Sequence, residues 1–134
     1  VNLQSVSSIR ATINTTINDL IAEGSTCLND VIIDSYQKIS DYRTASISNG
    51  TSQNYAIVLM TDGIDTSSSR TKDQMLAALP KSEDATGTHI YTIAYGADAD
   101  KATLVQIAQQ TNGNNYTATT SNIASIYFAI NAEI

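Results

Sequence analysis

Apolar side chains recur at helical spacing in the first third of the chain. They lie three, four or seven positions apart and are separated by Ser, Thr, Asn and Asp; they are Val6, Ile9, Ile13, Ile17, Leu20 and Ile21. This spacing predicts an amphipathic helix that ends before Gly24. The same spacing returns from Leu28 to about Tyr42, which predicts a second helix with Thr26 at its N-cap.

The middle of the chain changes from helical spacing to a loop and a strand. Residues 46–53 are polar, contain glycine and show no period, so they are predicted to form a surface loop. Residues 55–60 are apolar at every position. Such a run is typical of a strand that is covered on both faces in a parallel sheet. We expect this strand to stop at Thr61, Asp62 and Gly63.

Strands and helices then alternate to the end of the chain. Residues 89–95 and 116–118 predict two further strands. Helices are predicted around residues 75–79, 104–108 and 123–130. Their expected N-caps are Ser69 or Thr71, Asp98 or Asp100, and Ser121. This order predicts one α/β domain over residues 1–134, with an open, mostly parallel, doubly wound sheet flanked by helices.

Composition narrows the possible functions. The 134 residues carry a formal charge of −6 and no cluster of Lys or Arg, which argues against nucleic acid as a partner. No apolar run approaches the ~20 residues of a membrane-spanning helix. With one cysteine and one histidine, the chain has neither an internal disulfide nor a multi-histidine zinc site. We interpret His89 as structural, because it lies inside a predicted strand, and Cys27 as a small buried side chain.

The residues that follow the predicted strands are the candidate functional residues. In open α/β sheets, ligands bind beyond the carboxyl ends of the strands. Asp62 follows the most apolar strand, and Thr26 begins the second helix. Each also has a purely structural interpretation, Asp62 as a turn residue before glycine and Thr26 as an N-cap.

Several segments, in order, resemble the von Willebrand factor A domain family. They are Gly24-Ser25-Thr26, residues 57–63 (IVLMTDG), residues 89–96 (HIYTIAYG), and the passage from residue 104 to Tyr116. The resemblance runs almost end to end and is closest to bacterial extracellular members. It implies a Rossmann-like fold and a secreted or cell-surface location, with which the high Ser, Thr and Asn content agrees.

The resemblance also implies a function and a metal site. It implies a non-enzymatic protein-binding or adhesion module with a metal-ion-dependent adhesion site that holds Mg²⁺, or Ca²⁺ or Mn²⁺. Thr26 matches the family's second-loop threonine and Asp62 its third-loop aspartate. A hard cation on such oxygen ligands keeps a coordination position for a partner's carboxylate. The expected partner is therefore a protein with an exposed Asp or Glu.

The chain departs from the family at its N-terminal side. The family's first strand and its Asp-x-Ser-x-Ser loop are not found before the first predicted helix, although residues 1–3 are a candidate strand stub. We therefore expect an incomplete domain that is marginally stable alone or associated with a complementary chain supplying the strand, and whose metal binding is weak. The sequence from Asp65 to Ser69 does spell Asp-x-Ser-x-Ser, with Asp65 and Ser67 as additional candidate ligands. A solvated serine loop is the alternative interpretation.

Two other functions stay open at this point. A receiver-type phosphoacceptor would use Asp62, but such domains need a lysine after a late strand, and residues 95–97 offer none. A structural α/β interaction module with a degenerate metal site is the second alternative. It is compatible with the missing first loop.

Overall fold

The computed structural model describes residues 6–21, 23–50, 54–81 and 88–134. The helices in these ranges are α1 (Val6–Asn18), α2 (Leu28–Ser48), α3 (Lys72–Ala78), α4 (Lys101–Gln110) and α5 (Ile123–Glu133). The strands are β1 (Tyr55–Thr61), β2 (Thr88–Tyr95) and β3 (Asn115–Ala118). The candidate strand stub at residues 1–3 lies outside the described residues.

The three strands form one parallel sheet in the order β1-β2-β3. Ile57 of β1 lies opposite Ile90 of β2, and Ile93 of β2 lies opposite Tyr116 of β3. The helices α3 and α4 connect successive strands. The predicted open, parallel α/β architecture is therefore confirmed, and the carboxyl ends of all three strands meet at one edge.

Helices cover both faces of the sheet. On one face, α2, α3 and α4 contribute to a core cluster consisting of Leu28, Ile32, Met75, Leu79, Ile90 and Ile107. On the other face, α5 packs through a cluster consisting of Tyr91, Ile93, Ala118, Ile126 and Ile130. Successive residues of β2 point to opposite faces, so this one strand contributes Ile90 to the first cluster and Tyr91 to the second.

The strand β1 is less covered than its sequence predicts. Val58 is 39% exposed and Met60 is 49% exposed, and these two side chains point to the same face. Among the described strands only β2 pairs with β1, which leaves β1 at the edge of the sheet. Beside Val58, an apolar groove of about 470 Å³ is lined by Ala124, Tyr127, Phe128, Ile130, Asn131 and Ile134. The prediction of a strand covered on both faces was wrong for the face that carries Val58 and Met60. An apolar run in the sequence shows that a strand is hydrophobic, but it does not show whether another element packs against each face.

The ends of the helices depend on hydrogen bonds that cannot be inferred from the spacing of apolar residues. The predicted loop over residues 46–53 was wrong in its first part, because α2 continues to Ser48. The hydroxyl of Ser48 donates to the carbonyl of Thr44 at 2.9 Å, so a serine in the last turn remains compatible with the helix. The predicted cap Thr71 is confirmed and forms a capping box with Gln74.

Of the other helices, one agrees with the prediction and two differ from it. Asp100 caps α4, as one of the two predicted candidates. The N-cap of α5 is Asn122 instead of Ser121. The helix α1 ends at Asn18, and Leu20 and Ile21 beyond it are exposed.

Candidate functional site

The carboxyl end of β1 brings the two main candidate residues into adjacent loops. Asp62 directly follows β1 and is exposed, whereas Thr26 precedes α2 and is half-buried. A Cβ atom built on Gly63 would lie 3.9 Å from the hydroxyl oxygen of Thr26, which places that hydroxyl beside the Asp62–Gly63 turn. Loops separated by more than thirty residues in sequence thus meet at the edge where this fold class binds ligands.

The oxygen atoms of this pair are available for a ligand. Within the described ranges, neither the Asp62 carboxylate nor the Thr26 hydroxyl takes part in a hydrogen bond or ion pair. Thr61 fixes the turn, because its hydroxyl oxygen accepts a hydrogen bond from the N–H of Gly63 at 3.3 Å. A depression of about 330 Å³ opens beside Asp62 and is lined by Met60, Thr61 and Tyr95.

Asp65, the first additional candidate, forms hydrogen bonds with α2. Its Oδ2 accepts from the backbone N–H of Asn29 at 2.9 Å, and its Oδ1 accepts from the N–H of Ser68 at 3.1 Å. The hydroxyl of Ser68 also donates to Oδ2. Burial raises the pKa of Asp65, but the hydrogen bonds from Ser68 and Asn29 outweigh it, so the pKa of this carboxyl lies below its usual value. The carboxylate therefore acts as a cap for the first turn of α2, through a residue that lies 36 positions earlier in the chain.

Ser67, the second additional candidate, lies against Cys27. The Ser67 hydroxyl oxygen and the Cys27 sulfur are 3.0 Å apart. The expectation of a buried Cys27 was wrong, since this thiol is exposed. The predicted N-cap Thr26 was also wrong, since Cys27 occupies the N-cap of α2 at the surface of the molecule, and its side chain makes no capping hydrogen bond.

Residues 2–128 match the von Willebrand factor type A domain. The chain belongs to this family. No curated protein shows significant similarity to it. A similar backbone occurs in the crystal structure of an uncharacterized membrane spanning protein from Vibrio fischeri, with a TM-score of 0.52 and 21% sequence identity. The match covers 92% of this chain and 65% of that chain, so this von Willebrand factor A (VWA) domain spans about two thirds of its structural neighbour.

Family membership sets the general function of the domain. VWA domains generally mediate protein interactions without catalysis, often bind a divalent metal, and are often extracellular. This favours an interaction module over the receiver-type alternative. Among the residues that the structure describes, no helix is both long and apolar enough to cross a membrane.

The candidate residues of the VWA domain provide some, but not all, of the oxygen ligands that a hard cation such as Mg²⁺ needs. In the described parts of the chain, no three residues among His, Cys, Asp and Glu come together as a metal-binding group. Thr26 and Asp62 offer one hydroxyl and one carboxylate oxygen donor, which Mg²⁺ accepts when waters complete its octahedron. Asp65 and Ser67 lie in the same loop region, but Asp65 already accepts three hydrogen bonds. The metal-binding role of all four residues stays a prediction.

An ion-pair network beside the site was not anticipated from the sequence. The guanidinium of Arg70 donates from Nε to Asp30 at 2.7 Å and from Nη2 to Asp34 at 2.7 Å. The hydrogen bond from Arg70, followed by the one from the Ser69 N–H, holds the pKa of Asp30 below its usual value. One sequence feature could have indicated this network. Asp30 and Asp34 are four residues apart, which places both carboxylates on one face of α2. The network ties the end of the serine loop to α2.

A second depression adjoins the site on the α4 side. It has a volume of about 250 Å³, and its lining includes Asp65, Lys72 and Asp100. The side chain of Asp100 accepts hydrogen bonds from the hydroxyl and the backbone N–H of Thr103, which lower its pKa. Sequence reasoning identified Asp100 as a helix cap and did not place it near Asp65. The two carboxylates share this depression because the loops after β1 and β2 leave the same sheet edge.

Proposed function

We propose that this VWA domain is a non-enzymatic adhesion module that binds an acidic group of a partner protein through a divalent cation. The observation that carries this proposal is that the Thr26 hydroxyl lies beside the Asp62–Gly63 turn, while the side-chain oxygens of Thr26 and Asp62 have no hydrogen bond or ion pair among the described residues. Polar side chains beside a depression at the carboxyl edge of such a sheet are well placed to contact a ligand.

The charge of the domain supports a role for a cation. The chain carries a net charge of −6 at pH 7, which opposes the approach of an acidic partner. Thr26 and Asp62 would hold Mg²⁺, or Ca²⁺ or Mn²⁺ in its place. Such an ion supplies a local positive charge and a coordination position that a carboxylate oxygen can occupy. Because Thr26 and Asp62 would supply only two protein ligands, we expect weak binding of the ion by this chain alone.

Paramagnetic broadening by Mn²⁺ tests the site at weak affinity. In amide NMR spectra of the ¹⁵N-labelled chain, we expect Mn²⁺ to broaden Thr26 and Gly63 first, with competition by excess Mg²⁺. Asp62→Asn and Thr26→Val should reduce this broadening. Asp98→Asn is the matched control, because Asp98 is exposed after the neighbouring strand β2. Broadening that is diffuse, or that Asp62→Asn leaves unchanged, contradicts the proposed site.

Acetate serves as the simplest probe for recognition of an acidic group. We expect acetate to shift the Gly63 resonance when Mg²⁺ is present and not when EDTA has removed it. Chloride at equal ionic strength controls for salt screening. Equal shifts with and without Mg²⁺ would remove the support for cation-mediated recognition even if the ion itself binds.

A second candidate function is an interaction module completed by a strand from a complementary chain. Among the described strands β1 pairs only with β2, which favours this function, because an apolar strand at the edge of a sheet pairs readily with a further strand. The adjoining groove has no charged residue in its lining, so an apolar extended segment fits it best.

Sedimentation of the chain over a range of concentrations tests this second function. We expect association or marginal stability of the parent chain. Met60→Lys places a charge on the exposed face of β1 and should reduce association, whereas Ser125→Lys on the exposed surface of α5 is the control. A stable monomer at all concentrations argues against a missing strand.

We further propose that the domain acts outside the cell, as a secreted or cell-surface bacterial-type protein. The acidic charge and the abundance of Ser, Thr and Asn support this location. Fractionation of the native host cells with an antibody against the domain tests it. Recovery confined to the cytosolic fraction would contradict the proposal.

A further inference from the structure

The loop after β1 holds Thr26 by its backbone. The N–H groups of Thr66 and Ser67 donate to the carbonyl oxygen of Thr26 at 2.8 and 3.1 Å. In return, the N–H of Thr26 donates to the hydroxyl oxygen of Thr66 at 3.0 Å. Both backbone polar groups of Thr26 are therefore bound by the loop that carries Asp62, and its side-chain hydroxyl is left free beside Gly63.

The same loop completes the first turn of α2. The first N–H groups of a helix have no partner within the helix, and the N-cap residue Cys27 supplies none from its side chain. The Asp65 carboxylate accepts from the N–H of Asn29, and the Ser68 hydroxyl accepts from the N–H of Asp30 at 3.1 Å. We call residues 65–68 the clasp, since they hold both Thr26 and the start of α2.

Asp65 is the centre of the clasp. Its two oxygens accept from Asn29 on α2 and from both the backbone N–H and the hydroxyl of Ser68. An asparagine would keep one acceptor oxygen and turn an NH₂ group toward donors that need an acceptor. The carboxylate thereby fixes the conformation in which Thr66 and Ser67 reach Thr26.

We propose that Asp65 is a positioning residue, which holds Thr26 with its hydroxyl beside the Asp62–Gly63 turn before any cation binds. This inference extends the proposed adhesion function and rests on it, because positioning Thr26 matters for function only if a cation binds there. It assigns Asp65 a role through Thr26, in place of the direct metal ligation that its Asp-x-Ser-x-Ser spacing suggests. The two oxygen donors are then already assembled when the cation arrives, which reduces the cost of ordering them on binding.

The test compares Asp65→Asn with Asp62→Asn, the same substitution three residues apart in one loop. Amide hydrogen exchange of Thr26 and Asn29 reports the clasp directly, and Mn²⁺ broadening of Thr26 and Gly63 reports the cation. For Asp65→Asn we expect faster exchange at Thr26 and Asn29 and Mn²⁺ affinity weaker by about tenfold, the lower end for a supporting residue. For Asp62→Asn we expect loss of Mn²⁺ binding with unchanged exchange at Thr26.

Each outcome separates this inference from the proposed function. If the parent chain binds no Mn²⁺ near Thr26, the cation proposal fails, while exchange at Thr26 still decides the role of Asp65. If Asp65→Asn abolishes Mn²⁺ binding and leaves exchange at Thr26 unchanged, Asp65 is a direct ligand and the inference is overturned. Unchanged exchange and unchanged affinity also overturn it.

A milder variant covers the case in which Asp65→Asn does not fold. Thr66→Val removes the acceptor for the Thr26 N–H and leaves the Asp65 carboxylate in place. It should speed exchange at Thr26 and weaken Mn²⁺ binding without affecting Asn29. If Thr66→Val changes neither exchange nor affinity at Thr26, the clasp does not position this residue.

Discussion

Replacement of Gly113 by alanine should destabilise the domain severely. A Cβ atom at this position would lie 2.1 Å from the carbonyl oxygen of Ile90 and 2.6 Å from its carbonyl carbon. Non-bonded heavy atoms rest at roughly 3.5 Å or more, so the two segments would have to separate by more than about 1 Å. Ile90 is fully buried in β2 and paired with β1, so its backbone cannot retreat without disturbing the sheet.

The size of the destabilisation depends on whether the added Cβ atom meets a side chain or the backbone. Overpacking against side chains costs about 1–3 kcal/mol, because side chains can change rotamer. The backbone of the central strand has no such freedom, so we expect a loss of about 3 kcal/mol or more in the free energy of unfolding for Gly113→Ala. Domains of ordinary stability have only about 5–15 kcal/mol in total.

Urea denaturation followed by circular dichroism measures this loss. Gly96→Ala is the matched control, because it meets nothing within 4 Å and is strained only by its φ of +80°. That strain costs roughly 1–2 kcal/mol. If Gly113→Ala unfolds at the same urea concentration as Gly96→Ala, or at a higher one, the steric reasoning is refuted.

Three further predictions concern a cap, a tyrosine and the core. Replacing Asp100 by alanine should lower the free energy of unfolding by about 1 kcal/mol at neutral pH, because the Thr103 N–H loses its acceptor at the start of α4. The pKa of Asp100 is lowered from 3.8, so the carboxylate stabilises the fold only while it is ionised. In thermal melts, the difference between the two proteins should therefore shrink as the pH falls below about 4. Burial and the hydrogen bond to Glu133 raise the pKa of Tyr116 from 10.0 to about 12, so its contribution to stability is complete below pH 10 and lost as the pH rises towards 12. In urea titrations between pH 10 and about 12, the Tyr116→Phe variant should therefore lose less stability than the parent protein. If both lose stability equally over this range, Tyr116 is not the group responsible. Ile93→Val in the fully buried centre of β2 should lower stability by about 1 kcal/mol, and a neutral effect would show a looser core than described.

The sequence predicts the elements well because apolar runs and helical periods are local. The strand at residues 89–95 agrees with β2 to within one residue. The exposure of Val58 and Met60 was not predictable in this way, because it depends on which elements pack against that face of the sheet. The extension of α2 to Ser48 was missed because hydroxyls that bond back to the helix leave no apolar period.

The candidate site was predictable only in part for the same physical reason. The placement of Asp62 follows from a general rule about the carboxyl ends of parallel strands. The expectation that Thr26 lies near it came from the family resemblance, and the Thr26 hydroxyl does lie beside Gly63. The role of Asp65 as a cap follows from neither, because its partner Asn29 lies 36 residues earlier and no short motif links the two. Asp100 is likewise brought to the site by the return of the chain through β2, which sequence alone did not show.

The capping of α2 from a distant loop has a consequence for the order of folding. Most helices obtain their first-turn acceptors from the N-cap itself, so they can start independently of the remainder of the chain. Here Asp65 and Ser68 reach the N–H groups of Asn29 and Asp30 only after a loop of 36 to 38 residues has closed. During synthesis, the start of α2 should therefore fray until β1 and the following turn have left the ribosome, and it should be among the later parts of the domain to become protected.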